Sequence, residues 1–149
     1  MKLEFVYSRI YFKNLTKYKK ASRDWKEVLK IGKEFEKKYK SKINKIIKLI
    51  PKIIGKDWKK EIIEVYIVDW RGPSFSHPLT LKVRKDLLLM LVILTHELLH
   101  QFYTKDFYLD EEGNESKINQ NVKEVFEKLK LNVKKQLETL QGFHDKRFS

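Results

Sequence analysis

Two histidines, His96 and His100, lie four residues apart and enclose a glutamate, Glu97. On an α-helix, residues at this spacing share a face, so both imidazoles can bind one metal ion. Glu97 is displaced by about 100° around the helix axis, which puts its carboxylate beside the metal rather than on it. Zinc lowers the pKa of water to roughly 7, and a neighbouring carboxylate can take the proton while the water attacks a carbonyl. The pattern predicts one zinc ion (Zn2+) and hydrolysis of peptide bonds, with Glu97 as general base.

A catalytic zinc site has, as a rule, a third protein ligand and an open position. The chain contains no cysteine, so the third ligand must be a histidine or a carboxylate. Glu115 is preferred, because a short loop over residues 101–113 would bring the start of the next helix back toward the zinc. Asp106 is a rival, since it follows His100 by six residues as in contiguous three-ligand motifs, although Tyr103 stands where those motifs have a turn-forming glycine. Three further acidic residues remain as alternatives: Asp110, Glu111 and Glu112.

Helical patterns surround the motif. The segment Leu87 to Tyr103 is apolar nearly all round, which predicts a buried central helix that begins after Asp86. A longer amphipathic pattern begins near Asp24 and is interrupted by Pro51 and Gly55. Because apolar residues recur at helical spacing along it, we expect a long helix that ends or breaks near these two residues.

Strands and two further helices complete the expected fold. Residues 3–12, 62–69 and 79–83 are predicted as strands, and the last is short and charged on one side, which suits a sheet edge. One helix is expected to open at Asn114, and a final helix is expected to stop at Gly142. The sequence thus predicts one α+β domain over residues 1–149. A long N-terminal helix would back a small three-stranded sheet, and the metal-binding helix, a helix with Glu115 and a C-terminal helix would follow.

The charge of the chain is distributed unevenly. Its net charge is +13, and residues 1–60 hold 20 Lys and Arg against 6 Asp and Glu. Such a surface could attract nucleic acid or an anionic membrane, but lysine dominates and no groove-reading motif is present, which favours a solvated helix face. A basic nucleic-acid-binding module with a structural zinc is the alternative function.

The sequence also bears on location. No apolar run reaches the roughly 20 residues that a membrane span requires. Residues 1–4 (MKLE) have charges where a signal peptide would have apolar residues. We therefore expect a cytoplasmic protein without a membrane span, with a peptide or protein substrate as partner and no indication of its oligomeric state.

Two short segments carry a resemblance to a known family. The sequence HELLH over residues 96–100 is followed by NESKIN over residues 114–119. Together they resemble the gluzincins, which are zinc metallopeptidases with their third ligand on a separate glutamate helix. The small chain is most similar to the minigluzincins, which are soluble relatives of the catalytic domains of integral-membrane metallopeptidases.

The resemblance implies roles for single residues. It implies His96, His100 and Glu115 as zinc ligands and Glu97 as base and acid. Asn119 stands where the family has an aspartate that orients a ligating histidine, and Asn114 precedes the glutamate. An asparagine can still accept the imidazole hydrogen bond, although it brings no negative charge.

The resemblance also implies a substrate strand and latency. In this family the strand before the active-site helix holds an extended substrate, and here that strand is made of Leu79, Thr80, Leu81, Lys82 and Val83. Minigluzincins are zymogens that are blocked by a C-terminal segment, so residues 143–149 are a candidate inhibitory tail. Within it, His144 or Asp145 could fill the open zinc position. A frayed, solvated terminus and an inactive peptidase-like protein are the alternatives.

Overall fold

A computed structural model describes residues 1–17, 19–103 and 111–148, with Glu111 described by its backbone only. The elements of these residues, in chain order, are β1 (Lys2–Val6), α1 (Arg9–Thr16), α2 (Trp25–Ile54), β2 (Ile62–Val68), β3 (Phe75–Ser76), β4 (Leu79–Lys82), α3 (Leu87–Leu99), α4 (Glu111–Lys128) and α5 (Lys134–Phe148). These helices and strands share one core of buried apolar side chains. The predicted α+β class is confirmed.

The sheet has four strands in the order β1-β2-β4-β3, so the prediction of three strands was wrong. β1, β2 and β4 are parallel, and β3 runs antiparallel to β4. The missed strand β3 contains only Phe75 and Ser76. It is too short for an alternating pattern, because strand periodicity needs about four residues before it is visible in a sequence.

The predicted edge strand is not at the edge. β4 lies between β2 and β3, and the residues of β3 pair with Leu79 and Thr80. The chain before β4 folds back against it, and the Ser74 hydroxyl accepts a hydrogen bond of 2.9 Å from the backbone N–H of Lys82. The prediction of an edge strand over residues 79–83 was therefore wrong, and β3 takes that position.

The first predicted strand was too long. β1 ends at Val6, and Ser8 begins α1 by accepting a hydrogen bond from the backbone N–H of Tyr11. The aromatic residues of this segment pack on the sheet from a helix, as Tyr11 does when it stacks on Tyr66 at 4.6 Å. Aromatic composition favoured a strand, but the serine cap determines the local structure.

The long helix α2 agrees with its prediction. Asp24 is its N-cap and accepts a hydrogen bond from the backbone N–H of Glu27, while Gly55 ends it in the left-handed conformation. Its fully buried residues include Val28, Phe35 and Ile50. α2 therefore forms one wall of the core, with its lysines on the outer face.

The metal-binding motif lies near the end of α3. Asp86 caps this helix by accepting hydrogen bonds from the backbone N–H groups of Leu88 and Leu89. Every residue from 89 to 99 is buried, and α3 contacts β3, β4, α2, α4 and α5. The expected buried central helix is confirmed, although it ends at Leu99 rather than Tyr103.

None of the helices within the described ranges combines the length and apolarity that a membrane span requires.

The last two helices differ from their predictions at one end each. α4 already includes Glu111, so Asn114 lies within the helix rather than at its start. α5 continues through Gly142 to Phe148, so the predicted stop at Gly142 was wrong. Residues 143–148 are therefore part of a helix rather than a frayed tail.

Two helical glycines should respond in opposite directions to alanine. A Cβ at Gly32 would lie 2.7 Å from the ring of Tyr7, whose hydroxyl donates to Glu36, and 3.0 Å from Ile67, whereas a Cβ at Gly142 would meet nothing within 4 Å. Alanine improves helix propensity by about 1 kcal/mol, but overpacking costs about 1–3 kcal/mol. Gly32→Ala should therefore lower the free energy of unfolding in urea, and Gly142→Ala should raise it. An equal rise in both variants would contradict the close approach of Tyr7.

Candidate metal centre

Three side chains converge at the end of α3. His96, His100 and Glu115 each offer one ligand atom, and these atoms all lie within 4.8 Å of one another. The Nε2 atoms of the two histidines are 3.1 Å apart, and the Glu115 oxygens lie 3.1 Å from Nε2 of His96 and 2.8 Å from Nε2 of His100. Ligand atoms about 2.0–2.1 Å from a tetrahedral ion are separated by roughly 3.3 Å. The three groups can therefore hold one metal ion.

Two helices position these ligands. His96 lies in the last turn of α3 and His100 is the residue that caps its end, whereas Glu115 comes from the early part of α4. α4 is anchored on the core by Ile118 and Val122, which are both fully buried. His96 and Glu115 are only 7% and 6% exposed, so water cannot compensate their charges, and the compensation must come from the other members of the site.

A hydrogen bond orients the first histidine. Nδ1 of His96 lies 2.9 Å from Oδ1 of Asn119, one turn after Glu115 on α4. The amide oxygen can only accept, so Nδ1 carries the proton, and Nε2 is the nitrogen that faces His100 and Glu115 and that a metal ion would bind. Asn114 differs, because its Oδ1 is buried and has no hydrogen-bond partner among the described residues.

The charged groups of the site stabilise one another. Burial on its own would raise the pKa of Glu115, but hydrogen bonds from His100 and His96 outweigh it and lower that pKa. Burial on its own would lower the pKa of His96, but Glu115 and Glu97 outweigh it and raise that pKa. The carboxylate therefore stays ionised and favours a cation between the three groups, and a metal ion would displace a proton there.

Glu97 lies beside the ligands and is not one of them. Its Oε1 is 3.9 Å from Nε2 of His96, and the side chain is buried. Burial raises the pKa of Glu97, although the positive charges of His96 and His100 oppose this shift. The carboxylate is thus within reach of a small molecule at the site and has a stronger affinity for a proton than an exposed glutamate.

The strand β3 is held next to the site. The side chain of Gln101, which follows His100, donates a hydrogen bond of 3.1 Å to the carbonyl oxygen of Ser76. The edge of the sheet and the end of α3 are therefore joined within one residue of a ligand.

The C-terminal helix α5 contacts the site through Arg147, which the sequence analysis did not identify. Nη1 of Arg147 lies 3.6 Å from Oε1 of Glu115. Of the two predicted residues, His144 has its Nε2 4.0 Å from the carboxylate of Glu112, and Asp145 accepts a hydrogen bond from Gln141. Neither has a described contact with the three ligands. The prediction considered only side chains that bind metals, whereas the observed contact is made by a cation.

The other candidates for the third ligand do not join the site or fall outside the described residues. The side chain of Glu112 is 60% exposed and faces His144. The structure does not describe Asp106 and Asp110, nor the side chain of Glu111. Tyr103, which occupies the place of a turn glycine, is buried, and its hydroxyl accepts a hydrogen bond from Asn121.

One lysine-lined groove of the basic N-terminal part lies away from the metal ligands. A groove of about 950 Å³ between β1 and α2 is lined by apolar side chains and by lysines that include Lys33, Lys37 and Lys40. β1 is the edge strand at one end of the sheet, and β3, which contacts Gln101 beside the site, is at the other. The lysines are therefore not part of the metal centre.

Comparisons of this chain with known protein families, with curated proteins and with solved structures give no significant match. The chemistry of the site must therefore be argued from its own geometry. That geometry consists of two imidazoles and one carboxylate around a single point, with a second buried carboxylate beside them. Such a site can hold a metal ion and can move a proton next to it.

Metal binding should depend on Glu115. Adding Zn2+ to the chelator-treated protein should raise its melting temperature, because the ion binds only the folded ligand set. Glu115→Gln should abolish this rise, and Asn119→Ala should weaken binding by about 10- to 100-fold because it frees the His96 ring. Calorimetric titration measures both effects. Glu124→Gln, an exposed change on the same helix, is the matched control, and tight binding to the Glu115→Gln protein would refute the assignment.

Proposed function

We propose that this chain is a zinc-dependent metallopeptidase, an endopeptidase of the gluzincin type that is latent while its C-terminal segment covers the metal centre. The observation that carries the proposal is the convergence of His96, His100 and Glu115, with the Glu97 carboxylate beside them. The contact between Asn119 and Nδ1 of His96 supports the resemblance, because the family has an orienting residue at that position.

Zinc suits this ligand set best among common ions. Calcium and magnesium prefer shells of oxygen ligands, whereas two imidazole nitrogens and one carboxylate are typical of zinc. Sites of this composition are catalytic more often than structural, since structural zinc is usually enclosed by four protein ligands. In the described part of the chain three ligands converge, which favours an enzyme over a binding module with a structural zinc.

Each side chain of the site has a role in this proposal. A zinc ion held by His96, His100 and Glu115 would supply the Lewis acidity that activates water and polarises a peptide carbonyl. Glu97 takes the proton of the attacking water and delivers it to the leaving amine. The raised pKa of Glu97, which results from burial, suits this role because the carboxyl group must hold the proton between the two steps.

The position of β3 suggests where a substrate lies. β3 is the edge strand next to the metal ligands, and Gln101 ties it to α3. An extended peptide could add to this edge by main-chain hydrogen bonds, as in other cases of strand addition. The peptide would then pass the end of α3, where Glu97 and the ligands lie.

Latency is supported by the contact between Arg147 and Glu115. The guanidinium of Arg147 brings positive charge to the carboxylate that would bind zinc. One helical turn earlier, the ring of Phe143 lies 5.3 Å from the guanidinium carbon of Arg84. The segment 143–147 therefore contacts both Arg84 and a metal ligand, and it would obstruct a substrate.

Loosening this segment should increase peptidase activity. The double substitution Phe143→Ala and Arg147→Ala, called the open variant below, removes both contacts. Exposed ion pairs and cation–π contacts contribute about 1–2 kcal/mol together, so casein proteolysis by the zinc-loaded protein should rise by about 5- to 30-fold. Deletion of residues 143–149 should have the same effect. Asp145→Ala should leave activity unchanged, since the described hydrogen bond of Asp145 is with Gln141 of the same helix; a rise in that control alone would point to the wrong residues.

Loss of the Glu97 carboxylate should abolish turnover without loss of metal. In the open variant, Glu97→Gln should lower kcat for casein by about 100- to 10,000-fold, because general base catalysis contributes that factor. Metal analysis of the same sample should still give one zinc ion per chain. Glu124→Gln in the open variant is the matched control. Undiminished proteolysis by the Glu97→Gln protein would exclude the mechanism, and bound zinc without any turnover in the open variant would favour an inactive peptidase-like protein.

A further inference from the structure

A cluster of positive charge lies at the end of β4, close to the C-terminal helix. Lys82, Arg84 and Arg23 influence one another electrostatically, and Asp69 is the acidic residue that faces them. Burial lowers the pKa of Arg84, and the charge of Arg23 lowers it further. Burial lowers the pKa of Lys82, and Arg84 adds to this effect. Three cations and one carboxylate leave an excess of positive charge at this place.

The hydrogen bonds of Asp69 go to the loop before α2, and its Oδ1 has no hydrogen-bond partner among the described residues. Its Oδ2 accepts hydrogen bonds from the backbone N–H and the hydroxyl of Ser22 and from the backbone N–H of Arg23. Its Oδ1 lies 3.8 Å from Nη1 of Arg23. Asp69 therefore fixes the loop before α2 and has no described hydrogen bond with Arg84.

Arg84 has an unused hydrogen-bond donor. Its Nε is buried and has no hydrogen-bond partner among the described residues. The ring of Phe143 lies over the guanidinium, but an aromatic ring offers no lone pair to an N–H in the guanidinium plane. A carboxylate would accept two parallel hydrogen bonds from Nε and one Nη, which is the geometry that arginine is shaped to provide.

One segment of α5 contacts both Arg84 and a metal ligand. Phe143 contacts Arg84, and Arg147, four residues later, contacts Glu115. Four residues of helix rise by about 6 Å, which equals roughly two residues of an extended peptide at about 3.3 Å each. A substrate that took the place of this segment would therefore have a residue about two positions from the metal centre beside Arg84.

We propose that Arg84, with Lys82 and Arg23 behind it, forms a subsite for an acidic side chain of a peptide substrate, about two residues from the bond that is cleaved. The proposal rests on the proposed function and gives it a substrate class. In the latent form Phe143 covers this subsite, and release of the C-terminal segment uncovers it. The carboxylate of the substrate then pairs with the guanidinium of Arg84 and offsets the excess positive charge of the cluster.

A binding experiment without turnover tests the subsite. The probe is a fluorescein-labelled, alanine-rich peptide with a single glutamate that is moved along its sequence, and its partner peptide has glutamine at the same position. Fluorescence anisotropy is measured with the zinc-loaded open variant that also carries Glu97→Gln. At one position the glutamate peptide should bind about 10-fold more tightly than the glutamine peptide, since a paired charge and a bidentate contact are gained.

Variants at position 84 assign the preference to Arg84. Arg84→Gln should reduce the preference for glutamate to less than about two-fold, and Arg84→Lys should retain part of it, because charge remains while the bidentate geometry is lost. Lys85→Gln, an exposed change next to it, should leave the preference unchanged. Thermal melts of all variants show that they are folded, and the Arg84→Lys result keeps the test valid if Arg84→Gln is unstable.

The outcomes separate this proposal from the proposed function. A glutamate preference that survives Arg84→Gln, equal binding of both peptides at every position, or no peptide binding at all would overturn the subsite. A preference that depends on Arg84 in the binding assay supports the subsite even if the open variant with Glu97 cleaves no peptide. Absence of cleavage would overturn the proposed peptidase activity, whereas the proposed binding site would remain.

Discussion

The carboxylate of Glu115 lies between two imidazoles in the interior of the protein, and this contact constrains the rest of the structure. A buried carboxylate, a buried imidazole and a partly buried one cost several kcal/mol unless they compensate one another or bind a metal ion. The helix that carries the imidazoles is apolar on its other faces and is covered by β4, α2, α4 and α5. α4 must therefore lie so that Glu115 and Asn119, one turn apart, face His96 at the same time.

The fold was predictable where structure is local. Asp24 and Asp86 begin their helices by contacts within three residues, and the apolar run of α3 by itself requires burial. Predictions failed where distant residues decide the structure. β3 exists because Phe75 and Ser76 pair with β4, and α5 continues past Gly142 to place Phe143 and Arg147 in contact with Arg84 and Glu115. Neither condition is visible in a window of sequence.

The site was likewise predictable only where its residues are close together in the sequence. Spacing alone implied that His96 and His100 could share an ion, since residues four apart share one helix face. Glu115 was preferred from an argument about how the chain returns, and the resemblance to gluzincins implied the same ligand. Arg147 was missed because a contact between a C-terminal cation and Glu115 depends on the path of α5 over the surface. A search for metal-binding residue types does not identify an arginine.

The contact of Arg147 with Glu115 links the proposed latency to metal binding. A divalent ion and a guanidinium both bring positive charge to the same carboxylate, so each weakens the binding of the other, and by linkage both are weakened by the same factor. The contact of Phe143 with Arg84 does not involve a metal ligand, so zinc would loosen one end of the segment and leave the other in place. The exposed fractions of Phe143 and of the Arg147 side chain are 44% and 51%. Contacts of this kind contribute about 1–2 kcal/mol in total. We expect that a substrate can displace these two contacts, so that the proposed latency would be a shift in population rather than a permanent block.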